Sequence, residues 1–343
     1  FTIFVIMSRF FYYTIEIVLL FSMSCSNSSA SADFPEFTPS KTLKDGVMAI
    51  RGGGGFQYVK YLPLAYKPLT VYYYLPTSGD LGHMPILFAM HGADRSGLNQ
   101  INVWKYLAEA NGIIVIAPEF SKENGYSEND YQFGGIFTST AFSSLRSSEE
   151  WIYCLLETLF DYVKNEIDNI SDRYYLFGHS AGGQFVHRFL LAMPDARVIR
   201  AVAANPGSWT FPLSEGLVGT DSRNYGWPYS IRNVPFSSEE NLCRFFMHNL
   251  YVQIGTKDIV QDAYFPKDNA SMAQGNTRFE RAHAFYECCQ TVAQKLSAEL
   301  RIELVEVEGA GHSSAQMVYG NATVSLPQTD ARKAGNAFDL LFN

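Results

Sequence analysis

Residues 178–182 read Gly-His-Ser-Ala-Gly, and no other stretch constrains the fold of this chain as much. A strand-like run, Tyr174-Tyr175-Leu176-Phe177, leads into them, and an apolar, helix-like run over 185–193 leads out. Strand, G-x-S-x-G, helix describes a sharp turn that lifts a serine hydroxyl above the edge of a sheet. The small residues have a steric reason. Gly178 and Gly182 let strand and helix approach closely, while Ser180 takes a backbone conformation that bulky neighbours would oppose. Average glycine usage supplies such a pentapeptide by chance in roughly one chain of this length in ten, so its surroundings decide its meaning.

Those surroundings predict an α/β protein. Continuous or alternating apolar runs over 69–75, 85–90, 113–116, 198–203, 250–254 and 301–307 read as strands, separated by helical patterns. The run 85–90 is apolar enough to be buried on both faces, as parallel sheets are. Residues 149–167 place apolar side chains at 152, 155, 156, 159, 160, 163 and 167, one helical face. Ser147 or Ser148 is positioned to cap that helix, with Glu149 and Glu150 in its first turn. Residues 279–300 and 330–342 predict two further helices. Residues 120–148 predict a long loop, and 205–242 an irregular cap or loop insertion. With 343 residues, 47% of them hydrophobic, the chain can bury a single large core.

Net charge and cysteine spacing narrow the partners. A formal charge of −8, without any Lys/Arg-rich run, argues against nucleic acid. The cysteines are Cys25, Cys154, Cys243, Cys288 and Cys289, and no C-x-x-C spacing exists for a structural zinc site. Residues 1–32 read as an export signal, with residues 1–6 upstream of the native start at Met7-Ser8-Arg9 and a short apolar run over 17–23. Two exits are open: cleavage after Ala30-Ser31-Ala32, or lipid attachment at Cys25 as the sole link to a membrane. The run is short for a spanning anchor. An exported chain permits a disulfide from Cys243 to Cys288 or Cys289; the alternative is small buried thiols. Residues 33–64 read as a linker, with Gly52 to Gly55 as a flexible or tightly turned link, and 65–343 as one catalytic domain.

A serine hydroxyl becomes a useful nucleophile when a base takes its proton. Of seven histidines, only His312 follows the serine in a glycine-rich turn just beyond a strand, at Gly309-Ala310-Gly311-His312. A carboxylate between them must hold the imidazole in its tautomer. Asp258, after Gly255-Thr256-Lys257 at a strand end, is preferred over Asp262 on the same loop. An oxyanion needs backbone donors. Ala181 supplies one N–H, and the loop His91-Gly92-Ala93-Asp94 supplies the second, assigned to Ala93 with Asp94 as the alternative.

In this order, at successive strand ends, these residues make 65–343 resemble the α/β-hydrolase superfamily. The apolar strand into His91-Gly92-Ala93, the run Gly178-His179-Ser180-Ala181-Gly182-Gly183, Ala204-Asn205-Pro206-Gly207 and Gly255-Thr256-Lys257-Asp258 look most like secreted esterases related to polyhydroxybutyrate depolymerases and feruloyl esterases. The resemblance implies a mostly parallel sheet flanked by helices. It also implies hydrolysis of small-molecule or polymeric carboxylic esters through an acyl-enzyme, with no metal or organic cofactor. Aryl (feruloyl-like), short-chain and polyester substrates all fit. Trp209, just past a strand end, is then a candidate wall of the substrate pocket, with Phe211, Trp227 and Tyr131. Two rivals remain: a serine peptidase of the same fold, for which Glu119 is the strand-end candidate to anchor a peptide amine, and a non-catalytic binding protein.

Overall fold

The computed structural model describes residues 51–324 and 331–343. The export signal, its cleavage or lipidation sites and the first part of the linker lie outside the described residues. The glycine-rich stretch is not a link. It is strand β1 (Gly52–Tyr58), antiparallel to β2 (Leu69–Leu75) in a register from Gly52↔Leu75 to Tyr58↔Leu69. A Cβ on Gly54 would collide with the Tyr73 ring, so the missing side chains let that ring lie across the strand. Backbone pairing then does what side chains do elsewhere.

Next come β3 (Ile86–Met90), α1 (Gly97–Asn111) and β4 (Ile114–Glu119). Within 120–148 only α2 (Glu128–Tyr131) is regular, closed by a capping box between Ser127 and Asp130. Then α3 (Ile152–Glu166) leads to β5 (Tyr174–His179), α4 (Ala181–Ala192) and β6 (Val198–Ala204). The 205–242 insertion holds a two-residue pairing of β7 (Leu217–Val218) with β8 (Asn224–Tyr225) before α5 (Glu239–Phe246). Last come β9 (Leu250–Gly255), α6 (Asn269–Ala273), α7 (Arg278–Leu296), β10 (Glu303–Val307), α8 (Ser314–Tyr319) and α9 (Ala337–Phe342).

Eight strands form one sheet in the order β1-β2-β4-β3-β5-β6-β9-β10. Every pairing from β4 to β10 is parallel, and β1 and β2 add an antiparallel edge. Alternation along β3 explains its wholly apolar composition. Ile86, Phe88 and Met90 face the core under α3, α4 and α7, whereas Leu87 and Ala89 face the core under α1, α8 and α9. The parallel strand ends β3, β5, β6, β9 and β10 thereby open onto one edge.

Two local expectations fail for long-range reasons. Ser147 and Ser148 do not cap α3, because Ser148–Glu150 closes its own 3-10 turn. The Ile152 N–H donates instead to the Gly134 carbonyl (3.0 Å), so the preceding loop serves the helix end. Cys243 does not pair with Cys288 or Cys289. All three are free thiols, and Cys289 is fully buried on the core face of α7. Among the described residues, no helix is long and apolar enough to cross a membrane.

Candidate active site

Ser180 stands between β5 and α4 with φ 57° and ψ −114°, a region where a residue other than glycine costs about 1–3 kcal/mol. The surroundings hold it there. Its N–H donates to the Ala204 carbonyl (2.9 Å), and its own carbonyl accepts from the Gln184 N–H (3.0 Å). A Cβ on Gly178 would strike the Gly182 carbonyl, one on Gly182 the Met90 carbonyl, and one on Gly183 would lie 2.8 Å from the Ala204 carbonyl oxygen. Backbone cannot move aside as a flexible side chain can. The glycines therefore set how closely α4 settles onto β3, β5 and β6.

The loops after β9 and β10 are knitted together. Lys257 N–H donates to the Ala310 carbonyl (2.8 Å), Thr256 N–H to the Val307 carbonyl (3.1 Å), and Gly309 N–H to Thr256 Oγ1 (2.8 Å). Gly255 carries no Cβ because the Ala310 carbonyl occupies that space. This close contact brings His312 and Asp258 together. His312 Nδ1 lies 2.7 Å from Asp258 Oδ2, and His312 Nε2 lies 3.0 Å from Ser180 Oγ. Asp258 is 1% exposed. In such a row the imidazole can take the hydroxyl proton while the carboxylate stabilises the resulting cation.

Asp262 is engaged elsewhere. Arg278, fully buried, reaches both of its oxygens (2.9 and 3.0 Å) and approaches Asp258 Oδ1 at 3.4 Å. Burial opposes the charge on Asp262, but the guanidinium prevails and holds its carboxyl below the usual range. The two carboxylates thus share one cation, and only Asp258 meets the imidazole.

Asn205, fully buried at φ 50°, ties three strand ends. Its Oδ1 accepts from Gly255 N–H (2.9 Å), its Nδ2 donates to the Gly311 carbonyl (3.0 Å), and its N–H donates to the Gln253 carbonyl (2.9 Å). Nothing local in the sequence signalled what Arg278 does. Asn205 lay inside a recognised motif, but without an assigned role.

The loop after β3 has its own support. His91 is wholly buried, and burial pushes its imidazole down to about 4. Nδ1 donates to the Gly92 carbonyl (2.9 Å) while Nε2 accepts from Phe120 N–H (3.0 Å), an arrangement that requires the neutral ring. The N–H groups of Ala93 and Ala181 have no hydrogen-bond partner among the described residues. A cavity of about 410 Å³ opens over Ala93 and Ser180. Gly92, Ala93 and Ser180 line it with His312, Gln100 on α1 and Tyr264 beyond β9. Among the described residues, no cluster of three or more His, Cys, Asp or Glu is placed to hold a metal ion.

The Esterase family model matches residues 66–200. Among solved structures, poly(aspartic acid) hydrolase-1 from Sphingomonas sp. KT-1 is 32% identical with a TM-score of 0.71, covering 77% of this chain and 95% of its own. This chain belongs to the α/β-hydrolase esterases. LpqC, a poly(3-hydroxybutyrate) depolymerase from Bordetella parapertussis, is 29% identical with a TM-score of 0.70, over 78% of this chain and 88% of its own. Comparison with curated proteins returns no match.

In this carboxylic-ester hydrolase the aromatic residues singled out by position lie away from the cavity over Ser180. None of Trp209, Phe211, Trp227 and Tyr131 lines the cavity. Trp209 is fully buried, stacked on Phe285 (4.4 Å between centroids), with its backbone gripped at both ends by the Gln274 amide. Phe211 packs edge-on against Phe285, and Trp227 against Phe236. Tyr131 lies behind the His91 loop, stacking on that imidazole and donating to the His91 carbonyl (2.7 Å). Of these rings, Tyr131 supports a loop of the site, and the other three pack into the core. Glu119, the residue considered as an amine anchor, accepts from Gly97 N–H (2.9 Å) at the start of α1.

Proposed function

We propose that this esterase works through Ser180 as nucleophile, His312 as general base and acid, and Asp258 as the carboxylate that orients and stabilises the imidazole. Ser180 Oγ attacks the ester carbonyl carbon as its proton passes to His312 Nε2. The tetrahedral oxyanion is held by the N–H groups of Ala181 and Ala93, which have no competing partner. Collapse expels the alcohol, which takes the proton from His312 and leaves an acyl-Ser180. Water, deprotonated by the same imidazole, then releases the acid. The observation that carries this reading is the row from Ser180 Oγ through His312 to buried Asp258, at 3.0 and 2.7 Å.

The cavity favours short-chain or oligomeric esters over feruloyl-like aryl esters. Tyr264 is the only aromatic residue apart from the two histidines on its lining, and at 73% exposed it stands at the rim. The depolymerase likeness supports a polyester. Because β1 belongs to the sheet, the catalytic domain is taken to run from Gly52 to the end of the chain. The leader-like composition of residues 1–32 supports an exported enzyme.

A second reading, cleavage of a polymeric amide, is favoured by the name of the 32% identical poly(aspartic acid) hydrolase-1. Hydrolysis of p-nitrophenyl acetate and butyrate by wild type and Ser180→Ala tests the first. A burst of p-nitrophenolate in wild type, abolished in the variant, is expected; equal turnover in both refutes it. Faster release from oligo-aspartate amides than from any ester would establish the second.

A further inference from the structure

Gln100 is a buried amide with half of its hydrogen bonding unspent, on the wall of the reaction cavity. It lies in the first turns of α1 and is 3% exposed. Its Oε1 accepts from Ser314 Oγ (3.2 Å), the first residue of α8 and two beyond His312. That bond joins two elements 214 residues apart and turns Oε1 towards α8. Its Nε2 donates to no acceptor among the described residues, although Gln100, Ser180 and His312 line one cavity. Val103 and Ala315, also on the lining, are apolar. Nε2 is not enclosed by protein atoms, so it is open to an acceptor that enters the cavity.

We propose that Gln100 Nε2 is a specificity-determining donor, reading a second, uncharged carbonyl oxygen carried by the ester substrate away from the scissile group. The inference rests on Ser180 as the nucleophile. Charge restricts the acceptor. Asp94 lies on the same lining with its carboxylate held by Asn99 Nδ2 (2.9 Å), so a free carboxylate on the ligand meets a like charge. The ligand class is therefore a diester or ester-amide, neutral at the second carbonyl.

The test compares kcat/KM for pairs matched in length. On the acyl side, the p-nitrophenyl ester of monomethyl succinate is set against p-nitrophenyl hexanoate, with p-nitrophenyl hydrogen succinate as the charged member. On the alcohol side, the acetate of N,N-dimethylglycolamide is set against butyl acetate. Each ratio is divided by the corresponding ratio for alkaline hydrolysis, which removes intrinsic reactivity. Wild type should prefer the second carbonyl in one pair by about tenfold, the order of one neutral hydrogen bond. That preference should vanish in Gln100→Met and reverse in Gln100→Glu, and the pair that responds identifies the side. The charged succinate should lose the preference.

Reading a ratio cancels any general loss of activity, and melting curves report whether the variants fold. No preference in wild type overturns the inference without any variant, as does a preference unchanged in Gln100→Met. Ester turnover that survives Ser180→Ala instead overturns the nucleophile reading beneath it.

Discussion

Replacing Asn205 with alanine should loosen the site without touching a reacting atom. Three losses add up. The Gly255 N–H is left buried without a partner, at about 2 kcal/mol. The Gly311 carbonyl, half-buried and within reach of solvent, loses about 1 kcal/mol. Alanine held at φ 50° adds about 1 kcal/mol, because asparagine tolerates the left-handed region better. The sum, about 4 kcal/mol, lowers the melting temperature by about 8 °C for a chain of this size. Freeing Gly311 also frees the turn that presents His312, and a shift near 1 Å in a reacting group costs about 10²-fold in rate. The assay is thermal unfolding followed by circular dichroism, with kcat/KM on p-nitrophenyl butyrate measured well below the transition. Asn205→Gly separates the terms, since it removes the same hydrogen bonds but not the backbone freedom, and should melt above Asn205→Ala. An alanine variant that melts within 2 °C of wild type (the scale of about 1 kcal/mol) and keeps full activity would refute the reasoning. Lost stability with unchanged kcat/KM would show that Asn205 supports the sheet but does not place His312.

Three other perturbations have defined outcomes. Asp258→Asn should lower kcat by about 10⁴ through loss of the carboxylate that holds the imidazole's tautomer and stabilises its cation, whereas Asp262→Asn should cost less than tenfold; equal losses would return Asp262 to contention. Trp209→Ala should cost about 3–5 kcal/mol in urea unfolding, as a buried ring does, and a selective rise in KM with unchanged stability would restore it to the substrate wall. Acid should destabilise the fold through its buried histidines. His91 has its folded value near 4, below the unfolded value near 6.5, so the unfolded chain binds more protons between those limits. Its contribution is complete above pH 6.5 and is lost as pH falls towards 4, by about 3 kcal/mol. His187, pushed well below the usual imidazole range by burial and accepting from Thr210 N–H at 3.0 Å, acts with the same sign. Denaturant titrations from pH 7.5 to 4.5 that show no loss of stability would contradict neutral histidines at these positions.

What sequence reasoning could reach follows the range of its signals. Hydrophobic periodicity reports which face of a segment is buried, and it located β3, whose burial is continuous, and β2, whose burial alternates. It missed β1, where the strand is made by backbone pairing and the Tyr73 ring, and the glycines show no pattern. The chain order of Ser180, Asp258 and His312, each just past a strand, was also legible, since a parallel sheet brings such ends to one edge.

Sequence by itself therefore determined the α/β class and the turn at Ser180, and pointed to His312 as the candidate base among seven histidines. Only tertiary structure distinguishes Asp258 from Asp262, because His312 meets Asp258 while Arg278, on α7, occupies both oxygens of Asp262. It likewise set Trp209 in the core against Phe285, Tyr131 behind the His91 loop, and Gln100 beside Ser314. The physical reason is common to all three. Composition and spacing dictate that a ring or an amide be buried, but what it meets there is chosen by elements far away in the chain.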